Sequence, residues 1–261
     1  MHKHPIQFVG AGPGDPELIT VKGKKALEQA NLVVYAGSLV PDAAVRWAEG
    51  ARKENSAGMH LEEIVNIMVE AHRAGQKVVR LHSGDPSLYG AIAEQMAELD
   101  RQAVPYGVIP GVTAAFAAAA ALKLEYTRPE VCQTLILTRM EGRTPVPERE
   151  QLASLAAHQA SMAIYLSSGL VEKVQPVLVK HYGKDAAVAV VFRASQPDEQ
   201  VIRTTAQQLT AAMAQSGITG QAVIIAGKAV AQPDEAFVAS KLYDRGFSHG
   251  YRQGKDSSDG P

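Results

Sequence analysis

The chain has 261 residues, 46% of them apolar and 20% charged, which suffices for one large core or two smaller ones. Its formal charge of -1 lacks the basic excess of a protein that binds a phosphate backbone, so no nucleic-acid partner is expected. A single cysteine, Cys132, excludes an internal disulfide and a cysteine-based zinc site, and the eight histidines show no metal-ligand spacing, so no metal is expected either.

The opening Met-His-Lys-His-Pro5 leads into a strand over 6–9 without the apolar core of a secretory signal. No later run is long enough to span a bilayer, so a cytoplasmic protein with no membrane partner is expected. Further β-rich runs follow at 32–35, 78–81 and 106–109, separated by helical patterns near 16–30, 41–49, 61–74 and 88–101. In the helix from Leu61, the residues Leu61, Ile64, Val65, Met68 and Val69 form one apolar stripe, and Gly75 ends it. Alternating strands and helices imply a parallel sheet, whose ligands bind beyond the carboxyl ends of the strands. Glycine turns at Gly10, Gly84 and Gly111 would gather at that edge and form a pocket.

The first turn, Gly10-Ala-Gly-Pro-Gly-Asp-Pro16, is not a dinucleotide fingerprint, because Asp15 stands where the third glycine belongs and Pro13 lacks an amide donor. The second strand ends in Ala36 and Gly37 rather than in the acidic residue that would hold a ribose. Farther on, the alanine-rich stretch 114–122 reads as a buried helix packed closely on a neighbour. The charged, proline-containing stretch 139–150 reads as a loop. Strands at 132–138, 161–166, 187–192, 201–204 and 222–225, with helices near 148–158, 169–182 and 205–216, make the second half mixed α/β. The polar, glycine-rich stretch 252–261 buries too little apolar surface to offset its ordering entropy and is expected to fray.

Three ordered motifs, Gly10 to Pro16, Gly84-Asp-Pro-Ser-Leu-Tyr-Gly90 and Pro110-Gly-Val-Thr-Ala114, resemble those of the tetrapyrrole (corrin/porphyrin) methylase family. The stretches Thr134-Leu-Ile-Leu-Thr-Arg139, Met162-Ala-Ile-Tyr-Leu166 and Ala222-Val-Ile-Ile-Ala-Gly227 extend the likeness over nearly the whole chain. The resemblance implies an α/β fold of two α/β domains, here 1–115 and 116–245 followed by a polar tail at 246–261, with an inter-domain cofactor cleft. It implies S-adenosylmethionine as cofactor, S-adenosylhomocysteine as its product, a small-molecule tetrapyrrole as substrate, and a homodimer. Within the family, the stretches Tyr35-Ala-Gly-Ser-Leu-Val40, Phe192-Arg-Ala-Ser-Gln-Pro-Asp-Glu199 and Ser240 to Arg252 are most similar to the branch that methylates C11 of precorrin-4 in cobalamin synthesis. Family members acting on uroporphyrinogen III usually carry an Asp-Arg pair where this chain has Ala36-Gly37. The alternatives are the cobalt-containing precursor, uroporphyrinogen III, a protein or ribosomal RNA as methyl acceptor, and a nucleotide-binding regulatory module without catalysis.

By the same resemblance the cofactor contacts are Pro13, Ser83, Gly84, Asp85, Leu88, Thr113, Ala114, Leu166 and Ala194, with Ser83 and Ala194 standing where many relatives have glycine. Asp85 has two readings, a polar contact to the cofactor or a turn-former ahead of Pro86. Thr113 either donates its hydroxyl to the cofactor or caps the following helix. Asp15 is a catalytic candidate by its place in the glycine turn, and an ordinary helix cap by the Asp-Pro-Glu that it opens. A polycarboxylate substrate would want cations, for which Arg46, Arg80, Arg128, Arg139 and Arg193 are candidates, and Tyr89 would face cofactor or macrocycle.

Overall fold

The computed structural model describes residues 4–37, 40, 42–231 and 240–254. They form two compact units: residues up to Ala121 together with Phe192–Gln200, and Leu122–Val191 together with the residues from Val201 on. Each unit carries one five-stranded sheet with helices, the expected α/β class.

The first sheet comprises β1 (Ile6–Gly10), β2 (Leu32–Tyr35), β3 (Arg52–Asn55), β4 (Val78–His82) and β5 (Tyr106–Ile109), in the order β3-β2-β4-β1-β5 with every pairing parallel. Alternate residues bury on opposite faces. Ile6, Phe8, Leu32, Val34 and Val78 pack with Met68 and Leu99, while Val9, Val33, Val79, Leu81 and Ile109 pack with Leu27 and Val45. The helices that supply these partners are α1 (Val21–Glu28), α2 (Asp42–Val45), α3 (Leu61–Arg73) and α4 (Ile92–Arg101). β3 has no counterpart in the sequence reading: Arg-Lys-Glu-Asn lies on the sheet's edge, largely exposed, and shows no apolar alternation. The helical pattern over 16–30 divides in two, because Asp15 caps one 3-10 turn at Pro16–Leu18 and Thr20 then caps α1 by accepting from the Gly23 amide at 3.1 Å. α5 (Ala114–Leu122) buries Ala115, Ala117, Ala118, Ala119 and Leu122 but leaves Phe116 52% exposed, so it is covered on one side only and is not the fully buried helix that its alanine content suggests.

Arg80 lies inside β4 rather than at a strand end. Its Nε donates to Gln95 Oε1 at 3.1 Å, and its Nη1 to Val34 O at 3.2 Å and Ser56 Oγ at 3.0 Å. Burial pulls its pKa down to about 10. A buried cation without a carboxylate among these acceptors gains little net stability, since desolvation offsets most of what the hydrogen bonds return. Arg80→Met removes the charge but leaves the Gln95 and Ser56 oxygens buried without this donor, so a loss of about 2 kcal/mol is expected in urea titration, with substrate KM unchanged. A tenfold rise in KM would place Arg80 in contact with substrate instead.

The second sheet comprises β6 (Leu135–Arg139), β7 (Ser161–Tyr165), β8 (Ala187–Phe192), β9 (Gln200–Thr205) and β10 (Ala222–Ala226), in the order β6-β7-β10-β8-β9. It is mixed, with β6 parallel and β10 antiparallel to β7. Its helices are α6 (Leu152–Ala156), α7 (Val171–Tyr182) and α8 (Leu209–Ser216). The loop after β6 is folded around Arg139, whose guanidinium donates to Thr144 O at 3.2 Å and Pro145 O at 2.7 Å. Of the stretch expected to fray, residues 252–254 are held: Arg252 Nη2 donates to Asp244 O at 2.6 Å and Leu242 O at 2.8 Å, while 255–261 lie outside the described residues. Among the described residues no helix is long and apolar enough to cross a membrane, and no three acidic, histidine or cysteine side chains cluster as metal ligands.

Candidate functional site

The three glycine turns leave the carboxyl ends of β4, β1 and β5, which are adjacent in the sheet. They pack backbone on backbone. A Cβ on Gly10 would lie 2.6 Å from both Gly111 Cα and Gly84 O, and one on Gly111 would collide with Gly84 O. Main-chain bonds join the first two turns, Ala11 N to His82 O at 2.7 Å and Gly84 N to Gly12 O at 2.7 Å. Asp85 joins the second to the third: Oδ2 accepts from Gly111 N at 2.9 Å and Oδ1 from Ser87 N at 2.8 Å. Its carboxylate thus serves the turns themselves. Leu88 N closes back on Asp85 O at 3.2 Å. Tyr89 and Ala91 then take the left-handed region at φ 56 and φ 49, delaying the start of α4 to Ile92 and leaving Tyr89 44% exposed.

The first turn continues into Pro13, Gly14 and Asp15. Asp15 Oδ1 accepts from the Glu17 amide at 2.8 Å, the cap geometry that its sequence context suggests. Its own amide donates to Ser195 Oγ at 3.0 Å. Gly14 faces the same segment: a Cβ there would run into Gln196 Cγ and come within 3.0 Å of Ala194 O. Ala194 is buried between Arg193 and Ser195, both left-handed at φ 45 and φ 65. The Arg193 guanidinium is engaged within the segment, Nε donating to Gln196 Oε1 at 2.7 Å and Nη1 pairing with Asp198 Oδ2 at 2.8 Å. Trp47 Nε1 donates to Pro16 O at 3.2 Å, with Lys24 Nζ 4.0 Å and the Arg46 guanidinium 4.7 Å from its ring centroid. Arg46 therefore stacks on an indole, which its sequence position does not reveal.

Thr113, buried just ahead of α5, accepts at its carbonyl from Phe116 N at 3.1 Å, and Ala114 begins the helix. His82, one residue before Ser83, is buried with its ring 6.0 Å from that of Phe8 and no hydrogen-bond partner at Nε2. Burial, followed by the neighbouring Arg80 charge, pushes its pKa down to about 3, so the imidazole is neutral beside that buried cation. The structure thus brings Pro13, Ser83, Gly84, Asp85, Leu88, Thr113, Ala114 and Ala194 into the first unit's turn cluster and its immediate continuations, whereas Arg80 stands below it in the core.

Leu166, Arg128 and Arg139 belong to the second unit. Leu166 follows β7 with φ 52 and is 63% exposed. The chain beside it is fixed by Ser167, whose hydroxyl donates to Tyr165 O at 2.6 Å and accepts from Met140 N at 2.8 Å. Left-handed residues with exposed side chains recur at Tyr89 and Leu166, two of several turn residues at positive φ. Sequence reasoning quoted Ser195 and Gln196 only within a stretch that marks the family branch and missed their contact with the turn, as it missed Trp47. A serine–glutamine pair 180 residues from the turn that it touches carries no local signal.

A family model described as Tetrapyrrole (Corrin/Porphyrin) Methylases matches residues 5–210. The chain is 50% identical over 250 residues to a cobalt-precorrin-4 C(11)-methyltransferase of Methanocaldococcus jannaschii, covering 95% of this chain and 96% of that one. It is 46% identical to a precorrin-4 C(11)-methyltransferase of Pseudomonas aeruginosa, covering 96% and 99%. Among solved structures, a cobalt precorrin-4 methyltransferase superposes with a TM-score of 0.85 at 50% identity, covering 87% of this chain and 96% of that one. A uroporphyrin-III C-methyltransferase of Thermus thermophilus in complex with S-adenosylhomocysteine gives 0.74 at 28% identity, covering 87% and 98%.

Proposed function

We propose, from the premise that this chain belongs to the tetrapyrrole (corrin/porphyrin) methylase family, that it is an S-adenosylmethionine-dependent C-methyltransferase acting on C11 of precorrin-4 in cobalamin synthesis. The observation that carries the C11 assignment is the identity spread over nearly the whole chain, 50% to a cobalt-precorrin-4 and 46% to a precorrin-4 C(11)-methyltransferase: the likeness is not confined to the glycine turns that any member would need for the cofactor. A second reading has its own support, since both a cobalt-precorrin-4 enzyme and a precorrin-4 enzyme stand among the relatives at nearly equal identity.

The turns fit such a cofactor chemically. They offer main-chain groups with no side chain at Gly84 and only a methyl at Ala114, and an exposed Tyr89 at a position assigned by resemblance to the cofactor or macrocycle; in the second unit Leu166 is exposed as well. When bound, S-adenosylmethionine supplies an electrophilic methyl on a sulfonium that leaves as a neutral thioether. The chain's task is then positional, because methyl transfer rewards a near-linear approach held rigidly. Asp85 holds two turns in register, Asp15 and Thr20 cap the chain that leaves the first, and Pro13, Ser83, Leu88, Thr113, Leu166 and Ala194 are the proposed contacts. Of the candidate cations, Arg128 and Arg139 are proposed for the substrate carboxylates. Arg46 and Arg193 contribute from stacked or paired positions, and Tyr89 is proposed to face the macrocycle. A cytoplasmic homodimer belongs to the same proposal, and light scattering on the purified protein tests the dimer.

The test is label transfer. With methyl-labelled S-adenosylmethionine, label is expected in precorrin-4 at C11, and parallel reactions with the cobalt-containing substrate rank the two routes. Label entering only uroporphyrinogen III would overturn the C11 assignment.

A further inference from the structure

We infer that Ser195 and Gln196 are positioning residues that shape the first glycine turn and thereby set the affinity for the adenosyl cofactor, an inference that rests on the proposed methyltransferase reading. The segment Phe192–Gln200 is a compact double turn. Gln196 N donates to Arg193 O at 2.9 Å, Glu199 N to Gln196 O at 3.0 Å, and Ser195 N to Glu199 Oε2 at 2.6 Å. Arg193 ties it further through Gln196 and Asp198. So braced, the segment holds Arg193 and Ser195 at positive φ, a conformation disfavoured for a non-glycine residue.

That strain has a definite result. It presents Ser195 Oγ to the Asp15 amide and lays Gln196 against Gly14, in the one stretch of the turn where Pro13 has no amide of its own to offer. The Asp15 carboxylate is directed to the Glu17 amide of the following 3-10 turn, and its own amide is met by Ser195. Gly14 is glycine for the same reason, since a side chain would displace Gln196. The conformation of residues 13–15 is thus imposed by residues 193–196, and any ligand lying on that turn meets a surface prepared in advance.

Two substitutions separate positioning from mere stability. Ser195→Gly keeps the left-handed backbone and removes the acceptor, whereas Ser195→Asn tolerates the same φ and can supply an oxygen. By calorimetry, Ser195→Gly is expected to weaken S-adenosylhomocysteine binding about tenfold with little change in the urea midpoint, and Ser195→Asn to recover most of the loss. Cofactor KM should rise while kcat at saturation stays near wild type. Amide exchange at Asp15 should quicken in Ser195→Gly, which reports the contact with or without a ligand. Wild-type affinity for S-adenosylhomocysteine in Ser195→Gly would overturn the positioning role. A wild-type protein with no such affinity would overturn the methyltransferase reading, and with it the inferred effect on affinity.

Discussion

Gly111→Ala is expected to lower the unfolding free energy by about 3 kcal/mol or more and to abolish S-adenosylhomocysteine binding. The added methyl would meet Gly84 O and lie 2.8 Å from Gly10 Cα. Both obstacles are main chain, fixed by neighbouring strands, so no rotamer change relieves the clash and the turns must part. Gly10→Ala should behave alike, with its methyl 2.6 Å from Gly111 Cα. Gly58→Ala serves as control, because its Cβ meets nothing within 4 Å, and its effect should stay within about 0.5 kcal/mol. Urea unfolding and calorimetric titration check all three. A Gly111→Ala protein as stable as the parent would refute the close packing of the turns.

Asp85→Ala should cost about 3 kcal/mol, because two charge-assisted hydrogen bonds to the Ser87 and Gly111 amides vanish together. Asp85→Asn is the sharper variant. Its carbonyl oxygen can still accept from one amide, but its NH2 group must then face the other donor, so about half of that loss is expected. Cofactor affinity should fall in both variants in step with stability, since the carboxylate works through the turns. If affinity collapsed while the urea midpoint stood still, Asp85 would be a direct ligand contact.

Much of this was legible in the chain, and the reason is physical. Strands β1, β2 and β4 are buried on both faces and, with the partly exposed edge strand β5, read as short apolar runs, so their order along the sequence implies a parallel sheet with its turns at one edge. Glycines at 10, 84 and 111 mark the places where backbones meet, and the structure shows why each lacks a side chain. What escaped was non-local or edge-exposed. β3 presents Arg52, Lys53 and Asn55 to solvent and has no period to detect. Arg80 reads as a substrate-facing cation from its charge, yet β4 carries it inward, where Gln95, Ser56 and the Val34 carbonyl make it tolerable. Ser195 and Gln196 touch Asp15 and Gly14 across 180 or more residues, a relation that no window along the chain contains.

Trp47 is the sole tryptophan, and its indole is bonded to the carbonyl of Pro16, the last residue of the first glycine motif. The protein therefore carries one native indole, wired to the loop that its ligand would touch. Emission excited at the red edge of indole absorption, where the eight tyrosines contribute little, can follow that loop in the unlabelled enzyme during a stopped-flow mixing experiment, without a dye.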